Sequence, residues 1–333
     1  MRKFKVDIWN KGEYDHPAAY GFVPFIKAYL HEDVKEAEKG VMLVAPGGGY
    51  CMCVPHEGEP VALDFYERGY DVYVLAYTTD ITFSFPLKDQ PLKDIARAVR
   101  LIRRARLDAG IRDEKLFICG FSAGAHLCGT LTVHFKDVKD PDKVLNRISC
   151  RPDAAILSYP VITMGRYTHK DSREALLGKS PSKEEIDYYS CEKNVAADTP
   201  PCFIWQTAED ELVPVNNSYL MAQSLIDKGI PCAHYVFPFG LHGLGIGREI
   251  EEESDDYTFA QLYAMVKVLY GDGLKGVPAK RIRELKKQFP KGAEGSLLPD
   301  DNAEVIKLTH YPEIALWPQL ADDFLTHLST HRS

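Results

Sequence analysis

A short apolar run, Leu116 to Cys119, leads directly into Gly120-Phe121-Ser122-Ala123-Gly124, and a helical stretch follows. A G-x-S-x-G segment at a strand-to-helix junction constrains this chain more than any other feature. The serine must sit on a tight, strained turn that lifts its hydroxyl above the carboxyl edge of a parallel sheet, and the flanking glycines leave room for neighbouring backbone. The plainer alternative is a buried serine that caps the following helix.

A serine hydroxyl is a weak nucleophile. It needs a histidine to take its proton and a carboxylate to orient that histidine, both downstream if the fold is of the hydrolase type. After the buried-looking run Cys202 to Thr207 comes Ala208-Glu209-Asp210-Glu211-Leu212-Val213-Pro214, which places acids in the loop past a strand end. Asp210 is chosen over its neighbours Glu209 and Glu211. After the next strand-like run, Cys232 to Phe237, Pro238-Phe239-Gly240-Leu241-His242-Gly243 presents a glycine-flanked histidine, so His242 is the expected general base. His126, four residues beyond Ser122 on the same helix, should point down into the fold, and His234 lies inside a strand. Both read as structural histidines.

Stabilising a tetrahedral oxyanion requires preorganised donors. Pro46-Gly47-Gly48-Gly49-Tyr50 follows the strand-like Val41 to Ala45 and lets main-chain amides approach a reacting carbonyl where a Cβ would intrude. Gly48, Gly49 and Ala123 are the expected donors. Tyr50, beside them, either packs on the substrate or covers the core. Glu57 and Glu59 lie near a helix start, where the dipole favours acidic residues; direct contact with a sugar is the alternative.

These segments together resemble the α/β-hydrolase superfamily. Within it the chain is similar to the esterase branch related to hormone-sensitive lipase, and above all to the small acetyl-xylan-esterase-like carbohydrate esterases. The resemblance is carried by Pro46 to Tyr50, Glu57-Gly58-Glu59-Pro60-Val61-Ala62, Gly120 to Leu127, Asp210 to Pro214, His242-Gly243 and Trp317-Pro318, which span nearly the whole chain. Pro46 stands where the lipase-like branch usually has histidine, which favours the sugar-esterase subgroup. Ala125 replaces a glycine usual in that subgroup, and the stretch from His242 to Trp317 is longer than the family pattern. The resemblance implies hydrolysis of short-chain acyl esters, acetylated sugars or xylo-oligosaccharides among them, with no cofactor. An aryl-formamidase-like amidase, a serine peptidase of the same fold and a non-catalytic ligand-binding receptor are the competing readings.

Along the chain, strand-like runs alternate with amphipathic helical stretches. Pro60 to Arg68 reads as a helix with proline in its first turn and Gly69 as its stop. Leu92 to Leu107 aligns Leu92, Ile95, Ala96, Val99, Ile102 and Ala105 opposite an arginine-rich face. Strands are expected at Val72 to Tyr77, Ala154 to Ser158 and Phe203 to Thr207, and a helix at Asn217 to Asp227. Such alternation predicts a doubly wound, mostly parallel α/β sheet with helices on both faces, preceded by antiparallel strands in the first forty residues. The 333 residues are expected to form one domain. Two stretches break the pattern: Ile162 to Thr199, a candidate cap, and residues 271–308, which contain a basic amphipathic helix.

A formal charge of −8 without a concentrated basic face argues against nucleic acid or an anionic membrane as partner. The expected partner is a small-molecule ester, and a homo-oligomer is compatible with the sequence. The first thirty residues contain no apolar core like that of a signal peptide, which leads to the expectation of a cytoplasmic protein. The eight cysteines read as reduced thiols, and no metal site is expected at Cys51, Cys53 and His56 because a structural zinc normally takes four ligands.

Overall fold

The computed structural model describes residues 1–32, 39–112, 114–248, 256–291 and 311–330. Its centre is one eight-stranded sheet. The strands are β1 (Arg2–Asp7), β2 (Phe25–Leu30), β3 (Val41–Ala45), β4 (Asp71–Ala76), β5 (Leu116–Phe121), β6 (Ala154–Ser158), β7 (Cys202–Thr207) and β8 (Cys232–Phe237). Their spatial order is β1-β2-β4-β3-β5-β6-β7-β8. β2 runs antiparallel to both β1 and β4, and every pairing from β4 to β8 is parallel. Chain order reverses direction across the sheet at β3 and β4, so crossover helices cover both faces, as the alternation in the sequence requires.

The period-2 geometry of the strands sorts their side chains between two cores. Val41, Leu43, Ala45, Leu75, Cys202 and Ile204 join one cluster, together with Ile95 and Val99 of α2 (Gln90–Asp108), Leu127 and Leu131 of α3 (Ala123–His134) and Met221 and Leu225 of α6 (Asn216–Asp227). Met42, Val44, Val72, Val74, Phe203 and Trp205 point the other way, towards α1 (Glu59–Glu67) and α9 (Trp317–Thr330). The central strands β3 to β7 are buried on both faces and read as apolar runs for that reason, whereas the edge strand β1 is exposed and β8 half-buried.

The arginine-rich face of α2 is itself partly buried. Arg97 donates to Asp140, Glu13 and the Ile8 carbonyl, and Arg100 donates to the carbonyls of Val138 and Ile148. Arg106 pairs with Asp71 and Glu114. These guanidiniums donate to loop carbonyls and carboxylates and so offset the cost of burying charge.

The segment 162–199 carries α4 (Lys170–Leu177) and α5 (Lys183–Tyr188). Its apolar residues Ile162, Met164, Leu176, Leu177 and Tyr189 turn inward and merge with the main core. Past β8, α7 (Ala260–Tyr270) packs on α8 (Ala279–Gln288) through Leu262, Met265, Leu269, Leu285 and Phe289, a separate apolar cluster. This α8 is the expected basic helix of 271–308; residues 292–308 of that stretch lie outside the described residues. Among the described residues no helix is long and apolar enough to cross a membrane.

The C-terminal helix docks through Trp317. Its indole is fully buried, stacks on Trp205 with ring centroids 5.4 Å apart, and meets Phe121 edge-on at 5.8 Å. Its Nε1 donates to the Gly245 carbonyl at 2.9 Å. Trp317→Ala should lower unfolding stability by about 3–5 kcal/mol, the range for emptying a large aromatic site. Denaturant titration by circular dichroism measures it, and a loss below about 1 kcal/mol would show that α9 is not held this way.

Candidate active site

Ser122 sits between β5 and α3 with φ 50° and ψ −115°, a conformation a non-glycine residue holds only under constraint. Its amide donates to the Ser158 carbonyl at 3.0 Å, and its carbonyl accepts from Val161 and His126. These ties to the end of β6 and to α3 maintain the strain. The flanking glycines are steric necessities. A Cβ on Gly124 would lie 2.1 Å from the Ala45 carbonyl oxygen, and one on Gly120 2.4 Å from that of Gly124.

Three side chains from three loops meet here. His242 Nε2 lies 2.8 Å from Ser122 Oγ, and His242 Nδ1 lies 2.7 Å from Asp210 Oδ2. The Asp210 carboxylate accepts a hydrogen bond from Nδ1–H and so fixes the proton there, which leaves Nε2 to accept from the serine hydroxyl. Asp210 is itself held: Oδ1 accepts from the amides of Leu212 and Val213, and Oδ2 also accepts from Gln206 Nε2 at 3.2 Å. Glu209 and Glu211 are exposed, and the carboxyl of Glu209 reaches the Gly240 amide instead of His242. The Tyr159 ring stands edge-on to the His242 ring at 4.9 Å.

The glycine loop packs against the serine. A Cβ on Gly47 would fall 3.0 Å from Ser122 Cβ, and Gly48, with φ 120°, would place a Cβ 2.3 Å from the Met52 carbonyl oxygen. The amides of Gly48 and Gly49 have no acceptor among the described residues, while the Gly47 amide is engaged by Glu57 Oε2 at 2.7 Å. Ala123, first residue of α3, presents an amide with no intrahelical partner.

Tyr50 takes the core alternative, and its expectation as a substrate contact is corrected. The side chain is 1% exposed, its hydroxyl reaches His126 Nδ1 at 2.8 Å, and its ring abuts Tyr77. His126 is structural as expected. Its Nε2–H donates to the Tyr189 carbonyl at 2.7 Å, and burial pushes its pKa down to about 4, so a neutral ring accepts from Tyr50. His234 differs from expectation, because its buried Nε2 has no hydrogen-bond partner among the described residues and the ring merely abuts Tyr219.

Glu57 does more than neutralise a helix dipole. Oε2 accepts from the Gly47 amide, and Oε1 accepts from the Tyr159 hydroxyl at 2.6 Å, whose oxygen in turn accepts from the Gly245 amide at 3.0 Å. One buried carboxyl thus joins the glycine loop, the end of β6 and the loop that carries His242. Tyr159 also has an uncommon φ of 35°. Sequence reasoning missed Tyr159, whose place directly after β6 at the carboxyl edge was the available signal. It also missed His169 and Ser172, which approach Gly49 from α4: a Cβ there would lie 3.8 Å from His169 Cε1 and 3.9 Å from Ser172 Oγ.

Residues 28–225 match the BD-FAE family. Among curated proteins, an endo-1,4-beta-xylanase B from Butyrivibrio fibrisolvens is 57% identical over 249 residues, 75% of this chain and 39% of that protein. An acetylxylan esterase from Xylanibacter ruminicola is 30% identical over 71% of this chain and 45% of its own length. The chain therefore spans less than half the length of these relatives. Among solved structures, an acetyl ester-xyloside bifunctional hydrolase from Caldicellulosiruptor lactoaceticus is 34% identical with a TM-score of 0.68, covering 79% of this chain and 95% of that one. A carboxylesterase from Lactobacillus plantarum, 22% identical with a TM-score of 0.61 over 82% of this chain and 98% of its own, shares the fold. With more than half of its length matched, the chain belongs to the BD-FAE family and is an α/β hydrolase of the carbohydrate-esterase-like kind.

Proposed function

We propose that this protein is a serine carboxylesterase that removes short acyl groups, acetyl above all, from sugars such as xylo-oligosaccharides. The observation that carries the reading is the unbroken hydrogen-bond chain from Ser122 Oγ through His242 to Asp210, set beside the unpartnered amides of Gly48 and Gly49. The relatives named for xylan and acetylxylan chemistry support the choice of substrate.

In the first step His242 Nε2 takes the Ser122 proton as Oγ attacks the ester carbonyl carbon. The carbonyl oxygen gains the negative charge and is held by the amides of Gly48, Gly49 and Ala123. Collapse breaks the bond to the alcohol, which leaves with the proton from His242, and Ser122 carries the acyl group. Water then attacks the acyl-enzyme with His242 again as base, and collapse breaks the acyl–Oγ bond as the imidazolium returns its proton to Ser122 and the carboxylic acid leaves. Asp210 holds the imidazole tautomer and stabilises the imidazolium formed in each step. The reaction uses side chains, backbone amides and water.

Acyl preference follows from the walls. The 162–199 segment turns its apolar residues into the core and offers His169 and Ser172 to the glycine loop. A long acyl chain gains about 0.8 kcal/mol per buried CH₂ only where an apolar surface receives it. Across p-nitrophenyl esters, kcat/KM should peak between acetate and butyrate and fall by octanoate; a maximum at octanoate or longer overturns the short-acyl assignment.

Ser122→Ala should reduce p-nitrophenyl acetate turnover by about 10⁴-fold or more with the circular dichroism spectrum retained. A fluorophosphonate should add once, on Ser122, by mass spectrometry. Asp210→Asn should be severely impaired, whereas Glu209→Gln and Glu211→Gln should retain most activity. Near-normal turnover by the Ser122 variant ends the serine mechanism.

Glu57→Gln probes the brace behind the site. The amide oxygen can accept from Gly47, but its NH₂ must then face a Tyr159 oxygen that already accepts from Gly245, and the phenolic proton loses its acceptor. Stability should fall by about 1–3 kcal/mol, and kcat should fall more than KM rises. Wild-type values for all three would show that Glu57 does not position the loops.

A further inference from the structure

A cleft of about 300 Å³ opens between the loop at Phe83 and Ser84, α4 with Asp171 and Glu174, and α8 with Arg281 and Glu284. That volume is at the low end of ligand clefts, enough for a small polar molecule or one end of a longer one. We propose that this cleft binds the alcohol half of the ester, a neutral sugar chain continuing from the acylated residue. The proposal rests on the esterase reading above and adds where the leaving group is held.

Position comes first. The first turn of α4 abuts the glycine loop, with His169 and Ser172 within 4 Å of where a Gly49 Cβ would be. Asp171 and Glu174 belong to the same helix, within three residues of Ser172. At a rise of about 1.5 Å per residue the cleft wall begins within one helical turn of the loop. A chain of sugars that leaves the reacting carbonyl along α4 would run towards this wall.

The chemistry of the wall selects a neutral polyol. Three carboxylates (Asp171, Glu174, Glu284) face three cations (Lys179, Lys280, Arg281), so the cleft has no net charge to attract an anion or a cation. Glu284 is paired with Arg281 at 3.3 Å and Glu174 with Lys179 at 3.8 Å, whereas Asp171 has no ion-pair partner among the described residues. Carboxylates accept from sugar hydroxyls and the cations donate to them. The apolar elements are Pro278 and the half-buried Phe83, whose ring centroid lies 5.3 Å from the Arg281 guanidinium. A ring flanked by hydroxyl-binding groups suits a pyranose, which has an apolar face and a polar rim.

The loop presenting Phe83 is built for its position. Phe83 has φ 52°, where a bulky residue is strained. The buried carboxyl of Asp80 enforces this conformation by accepting from Thr82 N and Oγ, Ser84 N and Phe85 N at 2.6–2.9 Å. The Asp80 amide donates to the Tyr50 carbonyl at 2.9 Å, so this loop is fastened to the glycine loop itself. Strain maintained beside a cleft in this way marks a preorganised contact.

The test compares an ester with a sugar alcohol and one without. For Phe83→Ala and, separately, Asp171→Ala, the ratio of kcat/KM on acetylated xylotetraose to kcat/KM on p-nitrophenyl acetate should fall about tenfold, through KM for the sugar ester. Calorimetry with unacetylated xylotetraose should show binding to the wild type and weaker binding to both variants. Asp171 is exposed, so its variant keeps the test valid if Phe83→Ala fails to fold. An unchanged ratio in Asp171→Ala together with unchanged xylotetraose binding overturns the proposal. Xylotetraose binding that depends on Phe83 and Asp171 without hydrolysis of either ester would instead leave the cleft assigned and remove the esterase reading.

Discussion

The structure depends on one close approach of backbone to backbone. At Gly124 the first turn of α3 lies so near the end of β3 that a Cβ would sit 2.1 Å from the Ala45 carbonyl oxygen. That contact brings the serine turn beside the glycine loop and sets the distance between Ser122 and the amides of Gly48 and Gly49. Preorganised donors act in proportion to how little they must move, so a spacing enforced by backbone packing suits the acyl transfer proposed above. The strained φ of Ser122 is tolerated because the ties to Ser158, Val161 and His126 over-determine it.

Around this contact the protein places buried polar groups that each satisfy several elements. Glu57 holds Gly47, and through Tyr159 it holds Gly245. Asp80 holds the Phe83 loop and is itself fastened to Tyr50. Asp210 accepts from two amides and Gln206 besides His242. In a low-dielectric interior a fully satisfied network rigidifies its members, and a missing partner is costly. The loops at the carboxyl edge of the sheet are therefore braced from beneath, which is how irregular segments can present side chains with fixed geometry.

Much of the architecture was legible in the sequence, for local reasons. The strand at Ala154 to Ser158 and the run from Cys232 to Phe237 appear with the expected bounds, because apolar runs closed by polar turns admit few alternatives. Ser122, Asp210 and His242 were legible because each follows a strand end in a short loop, and strand ends of a parallel sheet converge on one edge. Even the choice of Asp210 over its acidic neighbours has a local basis in the amides of Leu212 and Val213 that grip it.

The sequence by itself determined the alternation of elements, the strained serine turn and the order of the three interacting side chains, since these follow from patterns within a few residues. Only the tertiary structure decided that Tyr50 faces His126 in the core, that Glu57 braces two loops, that Arg97, Arg100 and Arg106 are buried beneath carbonyls and carboxylates, and that Phe83, α4 and α8 enclose a cleft. The partners in these contacts are far apart in the chain: Tyr159 is 102 residues from Glu57, and Arg281 is 200 from Ile81, to which it donates. A side chain's fate is set by what packs against it, and for such pairs that neighbour exists only once the sheet has assembled.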